Sequence, residues 1–218
     1  LGCPFPMIAG KHKGAGMLLY PAQVAEVLAP IAEYPEIQFS LKMRLGWENA
    51  SECMVLVELL NALRLSRIAL HARTGKQQYK GHPDLEAFQG FYELCQHPLY
   101  YNGDIESLSD IRQILTRFPL LKGVFIGRGL LSSPLLAKEF KGNETFLPEQ
   151  RMSIYFAFHE ELFSAYSQVL QGETQLLVKM KTLWEYFLPE TDRKLLKRIK
   201  KSTRLQQYTE SVKAIFTS

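Results

Sequence analysis

A cysteine between a glycine and a proline is the first residue of this sequence whose setting suggests chemistry. Cys3 lies in the stretch LGCPFP, where Gly2 permits unusual backbone angles and Pro4 blocks the continuation of a strand. A structural cysteine usually lies inside an apolar helix or strand, where it packs as a small hydrophobic residue. The sequence therefore indicates a thiol presented from a turn, with an ordinary turn cysteine as the alternative.

The other two cysteines, Cys53 and Cys95, fall in amphipathic stretches and are expected in the core. Three cysteines without a Cys-x-x-Cys pair argue against a disulfide framework or a metal site and favour a reducing, cytoplasmic setting. With 218 residues, 46% of them hydrophobic, and a net charge of +4, the composition is typical of a globular protein and weakly favours anionic partners. No apolar run approaches the roughly 20 residues of a membrane span.

Short apolar segments alternate with amphipathic ones over the first two thirds of the chain. The predicted strands are 37–45, 67–74, 98–104 and 123–129, and the predicted helices are 21–33, 51–63, 84–96 and 107–118. Strict alternation of strand and helix predicts a parallel sheet with helical crossovers.

Each predicted strand ends in polar residues or glycines. They are Lys42 and Arg44, His71 and Arg73, Asn102 to Asp104, and Gly127 to Gly129. In an α/β fold of the (β/α)8 TIM-barrel type, the C-terminal ends of the strands together form the active site. If Cys3 follows a further strand, five strand ends converge on one site. The predicted fold is therefore a TIM barrel of which five βα units are visible.

The length of the chain does not match a complete barrel. A TIM barrel needs about 250 residues, whereas the barrel-like pattern ends near residue 147. We expect the chain to be the C-terminal part of a longer protein, with LGCP at the fourth of eight strands. Residues 1–147 would then form the C-terminal part of the catalytic domain, and residues 148–218 a separate all-α domain.

The second of these domains has a helical pattern throughout. The predicted helices are 149–171, 173–188, 190–202 and 204–217. The third of them contains RKLLKRIKK, a cluster of basic residues with Leu195, Leu196 and Ile199 between them: Arg193, Lys194, Lys197, Arg198, Lys200 and Lys201. The pattern fits either a solvated helix face or a face that contacts the phosphates of a nucleic acid.

Two loops of the predicted barrel suit a phosphate group. YNGD would follow the seventh strand and IGRG the eighth, where TIM barrels commonly bind phosphate beside a short extra helix, here 132–140. Glycines let backbone N–H groups approach phosphate oxygens, and Arg128 adds positive charge. With Lys42 and His71 at the polar edge of a ring, this mouth fits flavin mononucleotide (FMN).

The motifs LGCP, KHKGAGMLL, LKMRLGW, LHART, YNGD and IGRG, in this order and spacing, resemble those of the tRNA-dihydrouridine synthases. The resemblance extends to KMKTLWEYF, which is similar to the segment that leads the family's tRNA-binding helical domain. One difference is Ala72 in LHART, where the family more often has glycine.

The resemblance implies an FMN-dependent oxidoreductase that reduces the C5=C6 bond of specific uridines in tRNA. Cys3 would be the general acid that protonates C5, reduced FMN would deliver hydride to C6, and NADPH would reduce the flavin. Lys42 and His71 would contact the flavin ring. The residues implied for the ribityl-phosphate are Asn102, Gly103, Asp104, Gly127 and Arg128, and those implied for RNA are Lys11, Lys13, Arg73, Lys194, Lys197, Arg198 and Lys201.

The same reading implies a monomer without membrane association. Without the first three βα units, we expect the chain to bind flavin poorly and to expose open sheet edges. Two alternatives stay open. One is a different FMN-dependent TIM-barrel oxidoreductase acting on a small pyrimidine-like substrate, and the other is a noncatalytic tRNA-binding fragment.

Overall fold

A parallel sheet of four strands in the order β1–β2–β3–β4 is the centre of the N-terminal part of the chain. The strands are β1 (Phe39–Gly46), β2 (Leu65–Thr74), β3 (Leu99–Asn102) and β4 (Gly123–Phe125). The structure is a computed structural model and describes residues 1–217. It confirms the parallel α/β sheet that the alternating pattern predicts.

Eleven α-helices lie among the described residues. They are α1 (Pro6–Ala9), α2 (Pro21–Leu28), α3 (Val57–Ala62), α4 (Leu85–Leu94), α5 (Leu108–Arg117), α6 (Arg128–Ser132), α7 (Leu136–Gly142), α8 (Pro148–Val169), α9 (Glu173–Leu183), α10 (Arg193–Lys201) and α11 (Leu205–Phe216). Short 3₁₀ helices cover Gly14–Leu19, Ala29–Glu33 and Ala50–Leu56. No helix within residues 1–217 has both the length and the apolar character needed to cross a membrane.

Cys3 does not lie in a strand among the described residues. Residues 1–5 have no regular structure, and α1 begins at Pro6. Pro4 and Pro6 lack the N–H groups that a strand ladder uses, which explains the irregular backbone. The last predicted strand is also shorter than expected: β4 ends at Phe125, and α6 begins at Arg128 within the predicted range.

One face of the sheet packs on helices through apolar side chains. The register aligns Leu41 with Ile68 and Leu99, and Met43 with Leu70 and Tyr101. All of them are buried, together with residues of α4, α5 and the following turn: Phe88, Phe91, Ile111, Ile114 and Phe118. Phe88 contacts the rings of Tyr101 and Phe118 edge to face. On β1, the buried residues of this face are Leu41, Met43 and Leu45.

Two compact units describe the chain. The first comprises Leu1–Ile105 and Ser109–Ile126, and the second comprises Glu106–Leu108 and the chain from Gly127 onward. Cys53 is fully buried in the first unit, as predicted, whereas Cys95 is half-buried at the C-terminus of α4. The assignment of residues 148–218 to a tRNA-binding domain stays a prediction.

The core of the second unit contains a buried chain of polar groups. Tyr208 lies on α11, and its hydroxyl accepts a hydrogen bond from Trp184 Nε1 at 3.0 Å and lies 2.6 Å from His159 Nε2. His159 is on α8, and its Nδ1 is 3.1 Å from the carboxylate of Glu160. Burial lowers the pKa of His159 and raises that of Tyr208. These contacts fit a neutral imidazole that donates from Nδ1 and accepts the Tyr208 proton at Nε2.

Replacing Tyr208 by phenylalanine should destabilise the second unit. The substitution keeps the ring but leaves the buried groups of Trp184 and His159 without their partner, so we expect a loss of about 2 kcal/mol in the free energy of unfolding. Denaturant titration followed by circular dichroism measures it. The control is Tyr186→Phe, because that ring is 39% exposed, and it should change stability by less than about 0.5 kcal/mol. Equal losses for the two variants would contradict the prediction.

Candidate active site

The second face of the sheet carries the polar residues that the sequence singles out. The register aligns Arg44 with His71 and Asn102, and Lys42 lies two positions before Arg44 on β1. Because alternate residues of a strand share a face, Lys42, Arg44, His71, Arg73 and Asn102 all belong to the face opposite the apolar one. The structure therefore brings the predicted strand-end residues of three strands to one surface.

His71 is the most unusual group on this face. Its side chain is buried, and within residues 1–217 its Nε2 atom has no hydrogen-bond partner. Burial lowers the pKa of His71 to about 3, and the positive charges of Arg44, Lys42 and Arg73 contribute in the same direction. The imidazole is therefore neutral near pH 7. A buried nitrogen without a partner is a position where a polar ligand atom fits.

Lys42 is the more accessible cation of this face. Its residue is exposed, and partial desolvation followed by the charge of Arg44 lowers its pKa. It lies on β1 one strand away from His71, whose pKa it also lowers. A positive charge and a neutral imidazole are thus presented side by side.

The turn that carries Cys3 packs against the glycine loop that follows α1. The Cys3 carbonyl accepts a hydrogen bond from the Ala15 N–H at 2.9 Å. Gly14 has a φ of +56°, and a Cβ added there would lie 2.6 Å from the Cys3 oxygen and 2.9 Å from its Cβ. Glycine is required at this position, because a side chain would displace the cysteine. Cys3 itself is half-buried, and Lys11 and Lys13 of the loop are exposed.

Arg73 forms a buried ion pair with Asp104. Its guanidinium donates to both carboxylate oxygens, at 2.7 and 2.5 Å, and to the Gly81 carbonyl at 2.5 Å. The arginine side chain is 1% exposed and the aspartate 30%. The expectation that Arg73 faces RNA is therefore corrected: its donors hold the loop after β3 against the loop after β2. The Asp104 carboxylate accepts these hydrogen bonds and is the counter-charge of Arg73.

The YNGD loop is held by its own first residues. Asn102 Nδ2 donates to the Phe125 carbonyl at 2.8 Å and so ties the ends of β3 and β4 together. Gly103 has a φ of +149°, and a Cβ there would lie 2.9 Å from the Tyr101 hydroxyl. Gly127 and Arg128, at the start of α6, belong to the second unit. The predicted phosphate site made from both groups stays a prediction.

A basic groove lies between α10 and α11 of the second unit. Its volume is about 470 Å³, and its lining on α10 consists of Lys194, Lys197, Arg198 and Lys201. Gln207, Glu210 and Ser211 contribute from α11. Ile199, on the other side of α10, is buried in the core of the unit. The helix therefore directs its apolar residues inward and four cations to a single groove.

A family model described as "Dihydrouridine synthase (Dus)" matches residues 1–217. The chain belongs to the dihydrouridine synthase family. It is 31% identical over 135 residues to a probable tRNA-dihydrouridine synthase of Rhizobium leguminosarum bv. phaseoli, which covers 62% of this chain and 42% of the relative.

Two further dihydrouridine synthases show the same extent of similarity. A probable tRNA-dihydrouridine synthase of Aquifex aeolicus is 35% identical over 144 residues, 64% of this chain and 45% of the relative. The tRNA-dihydrouridine synthase B of Vibrio vulnificus is 26% identical over 153 residues, 68% of this chain and 47% of the relative. The chain thus spans less than half the length of these three members of the family.

The site of this dihydrouridine synthase family member includes two residues to which sequence reasoning gave no role. Arg44 is 2% exposed, and Tyr79 is 56% exposed with its ring centre 6.4 Å from that of His71. The signal for Arg44 was its spacing of two from Lys42 on one strand, which places both on one face. Tyr79 lies in a loop without periodicity, so no pattern in the sequence indicates its position.

Replacing Asp104 by asparagine should destabilise the first unit. The change leaves the buried Arg73 guanidinium without its counter-charge, and we expect a loss of about 3 kcal/mol in the free energy of unfolding. Chemical denaturation measures this loss. The matched control is Glu48→Gln, which breaks the exposed pair of Glu48 with Lys76 and should cost less than about 1 kcal/mol. A small loss for both variants would show that the Arg73 pair does not hold the two loops.

Proposed function

We propose that this chain contains the cysteine acid and the RNA-binding helices of a tRNA-dihydrouridine synthase, which reduces the C5=C6 bond of uridine in tRNA. The observation that carries the proposal is the pairing of a half-buried thiol on a glycine-backed turn with a sheet face that holds a neutral histidine lacking a partner. The names of the relatives, which are tRNA-dihydrouridine synthases, support the same reaction and substrate.

FMN fits the polar face of the sheet. The buried Nε2 of His71 needs a polar partner, and the charge of Lys42 suits the electron-rich edge of a reduced flavin ring. Asn102 and Gly103 would contact the ribityl-phosphate, and Asp104 acts through Arg73. The resemblance implies the same contact for Gly127 and Arg128. When bound and reduced by NADPH, FMN would supply the hydride that adds to C6 of the uracil.

Cys3 supplies the other half of the addition. Saturating a C5=C6 bond needs one hydride and one proton, so an acid must donate to C5 as the hydride reaches C6. The Cys3 thiol breaks its S–H bond, C5 gains the proton, and the thiolate is protonated again from water, which reaches the half-buried side chain. The turn fixed by Ala15 and Gly14 would hold the sulfur in place during this transfer.

The proposed role of His71 is to orient the flavin by hydrogen bonding, without adding a charge to the site. Because its pKa is about 3, the ring stays neutral at physiological pH and offers one N–H donor and one acceptor nitrogen. It can therefore pair with a carbonyl or a ring nitrogen without attracting anions to the site. Lys42 provides the positive charge instead.

The RNA would be held by phosphate contacts and the target base would leave its stack. The basic groove of α10 suits backbone phosphates, and the exposed Lys11 and Lys13 add charge beside the Cys3 turn. We assign residues 148–218 to the tRNA-binding domain on this basis. The enzyme would act in the cytoplasm, where its tRNA substrates are, as a monomer.

The Cys3→Ala variant tests the reaction. The protein is expressed from its complete gene and incubated with NADPH and unmodified tRNA, and the nucleosides are analysed by mass spectrometry for uridine that has gained two hydrogens. Loss of the acid should lower the rate of conversion by about 10²- to 10⁴-fold. Reduction of the bound flavin by NADPH, followed by absorbance, should be unaffected, because that step does not need Cys3.

The control is Cys95→Ala, since this cysteine is half-buried at the end of α4 and lies outside the site. It should convert uridine at the rate of the unsubstituted protein. Bound flavin without conversion of any tRNA would reject the synthase and leave a flavoenzyme for a small substrate. Binding of tRNA without bound flavin would indicate a noncatalytic protein.

Removing two cations from the groove should weaken tRNA binding in a salt-dependent way. For Lys197→Ala combined with Arg198→Ala, we expect the slope of log K against log salt to fall by about 1.5, since each lost phosphate contact removes about 0.7–0.9. Fluorescence anisotropy with labelled tRNA at several salt concentrations measures the slope. The control of equal charge is Lys141→Ala combined with Lys213→Ala, which lie outside the groove. Equal slopes for the two variants would contradict a specific groove.

A further inference from the structure

Arg44 is a buried arginine on the polar face whose named acceptors are all backbone carbonyls. It lies near the end of β1, and its residue is 2% exposed. Nε donates to the Gly2 carbonyl at 3.2 Å, and Nη1 donates to the carbonyls of Thr74 and Gln78, both at 2.8 Å. Burial of so large a cation is costly unless its donors are satisfied. The three carbonyls therefore offset the cost of burying the guanidinium by accepting its hydrogen bonds.

The acceptors belong to two separate segments. Gly2 directly precedes Cys3, whereas Thr74 is the last residue of β2 and Gln78 lies in the turn that follows it. Gln78 has a φ of +52°, a conformation that a residue other than glycine adopts rarely and that needs support from its surroundings. One side chain thus joins the turn that carries the thiol to the loop that follows His71.

The same loop carries an aromatic ring beside the histidine. Tyr79 follows Gln78, and the Arg44 guanidinium carbon lies 5.7 Å from the centre of its ring. Burial lowers the pKa of Arg44, while Tyr79 and Cys3 raise it. The arginine is thus within electrostatic range of both the thiol and the ring.

Lysine cannot make these contacts. An ammonium group is a single point at the end of a flexible chain, whereas the planar guanidinium offers donors on two sides in a fixed fork. Here Nε and Nη1 reach different segments, so a lysine that contacts Gly2 would leave Thr74 and Gln78 without their donor, or the reverse. The identity of the residue, and not its charge alone, is what the geometry uses.

We propose that Arg44 is a positioning residue that fixes the Cys3 turn to the loop after β2, so that the thiol keeps its place relative to that loop. Its relevance to uridine reduction rests on the proposed function. The contacts themselves do not, and they can be tested without RNA, flavin or NADPH.

The test measures how fast iodoacetamide alkylates each cysteine of the unliganded protein. Peptide mass spectrometry quantifies Cys3 and Cys53 separately, between pH 7 and 9, in Arg44→Lys and Arg44→Met variants. Loosening the turn should raise the rate at Cys3 by about tenfold, the change that the loss of one to two hydrogen bonds corresponds to. Cys53, which is fully buried, reports global opening and should keep its slow rate.

The control variants are Arg67→Lys and Arg67→Met, because Arg67 is an exposed arginine on the neighbouring strand β2. They should leave both rates unchanged. A Cys3 rate within about twofold of the unsubstituted protein in Arg44→Lys would overturn the proposal, since that factor is below 0.5 kcal/mol. So would a rise at Cys3 matched by an equal rise at Cys53, which would make Arg44 a stabiliser of the whole fold. If Arg44→Met does not fold, Arg44→Lys decides.

If no tRNA is reduced but Arg44→Lys raises the rate of Cys3 alkylation as expected, the proposed function is rejected and the positioning role is kept. If tRNA is reduced but the alkylation rate of Cys3 is unchanged in Arg44→Lys, the proposed function is kept and the positioning role is rejected. The two hypotheses therefore fail in different experiments.

Discussion

The ion pair between Arg73 and Asp104 is the contact on which the arrangement of the polar sheet face depends. An arginine with 1% exposure at the end of a strand is tolerated only because a carboxylate and two loop carbonyls receive its donors. Those acceptors come from the loops after β2 and β3, so both loops are drawn to the same strand end. Arg44 works by the same logic one strand away, with carbonyls in place of the carboxylate.

Burial, followed by the positive charges of Arg44, Lys42 and Arg73, lowers the pKa of His71 and keeps the ring neutral. A protonated His71 would add a fourth positive charge to a region that already holds these three cations and one carboxylate, Asp104. Its neutrality is therefore a property of the whole face and not of one hydrogen bond. Lys42 stays the accessible cation of this face, beside a neutral imidazole.

Much of the architecture follows from the sequence, and the failures have identifiable causes. The hydrophobic pattern of the sequence predicts all four strands of the sheet and the four helices from residue 148 onward, because burial of one face imposes a period of two residues on a strand and of 3.6 residues on a helix. Pro4 and Pro6 prevent a strand from continuing beyond Cys3, because their nitrogens cannot donate to a ladder. The assignment of Arg73 to RNA fails because residue type and spacing do not reveal the partner of a charge. Tyr79 joins the site through loop geometry that no periodicity encodes, whereas the position of Arg44 follows from its alternation with Lys42 on β1.

The buried polar chain of the second unit has a consequence for how uniquely its helices pack. Apolar side chains tolerate small shifts of one helix along another, since one methyl group can replace the next. The Tyr208 hydroxyl cannot shift in this way, because it meets His159 of α8 and Trp184, just after α9, at once. A shift of α11 by one turn, about 5.4 Å, would leave the buried polar groups of Tyr208, His159 and Trp184 without their hydrogen-bond partners. The polar contacts therefore favour one alignment of these three helices over shifted alignments whose apolar packing would be similar in energy. As a result, the basic residues of α10 lie on a helical unit with one defined packing arrangement.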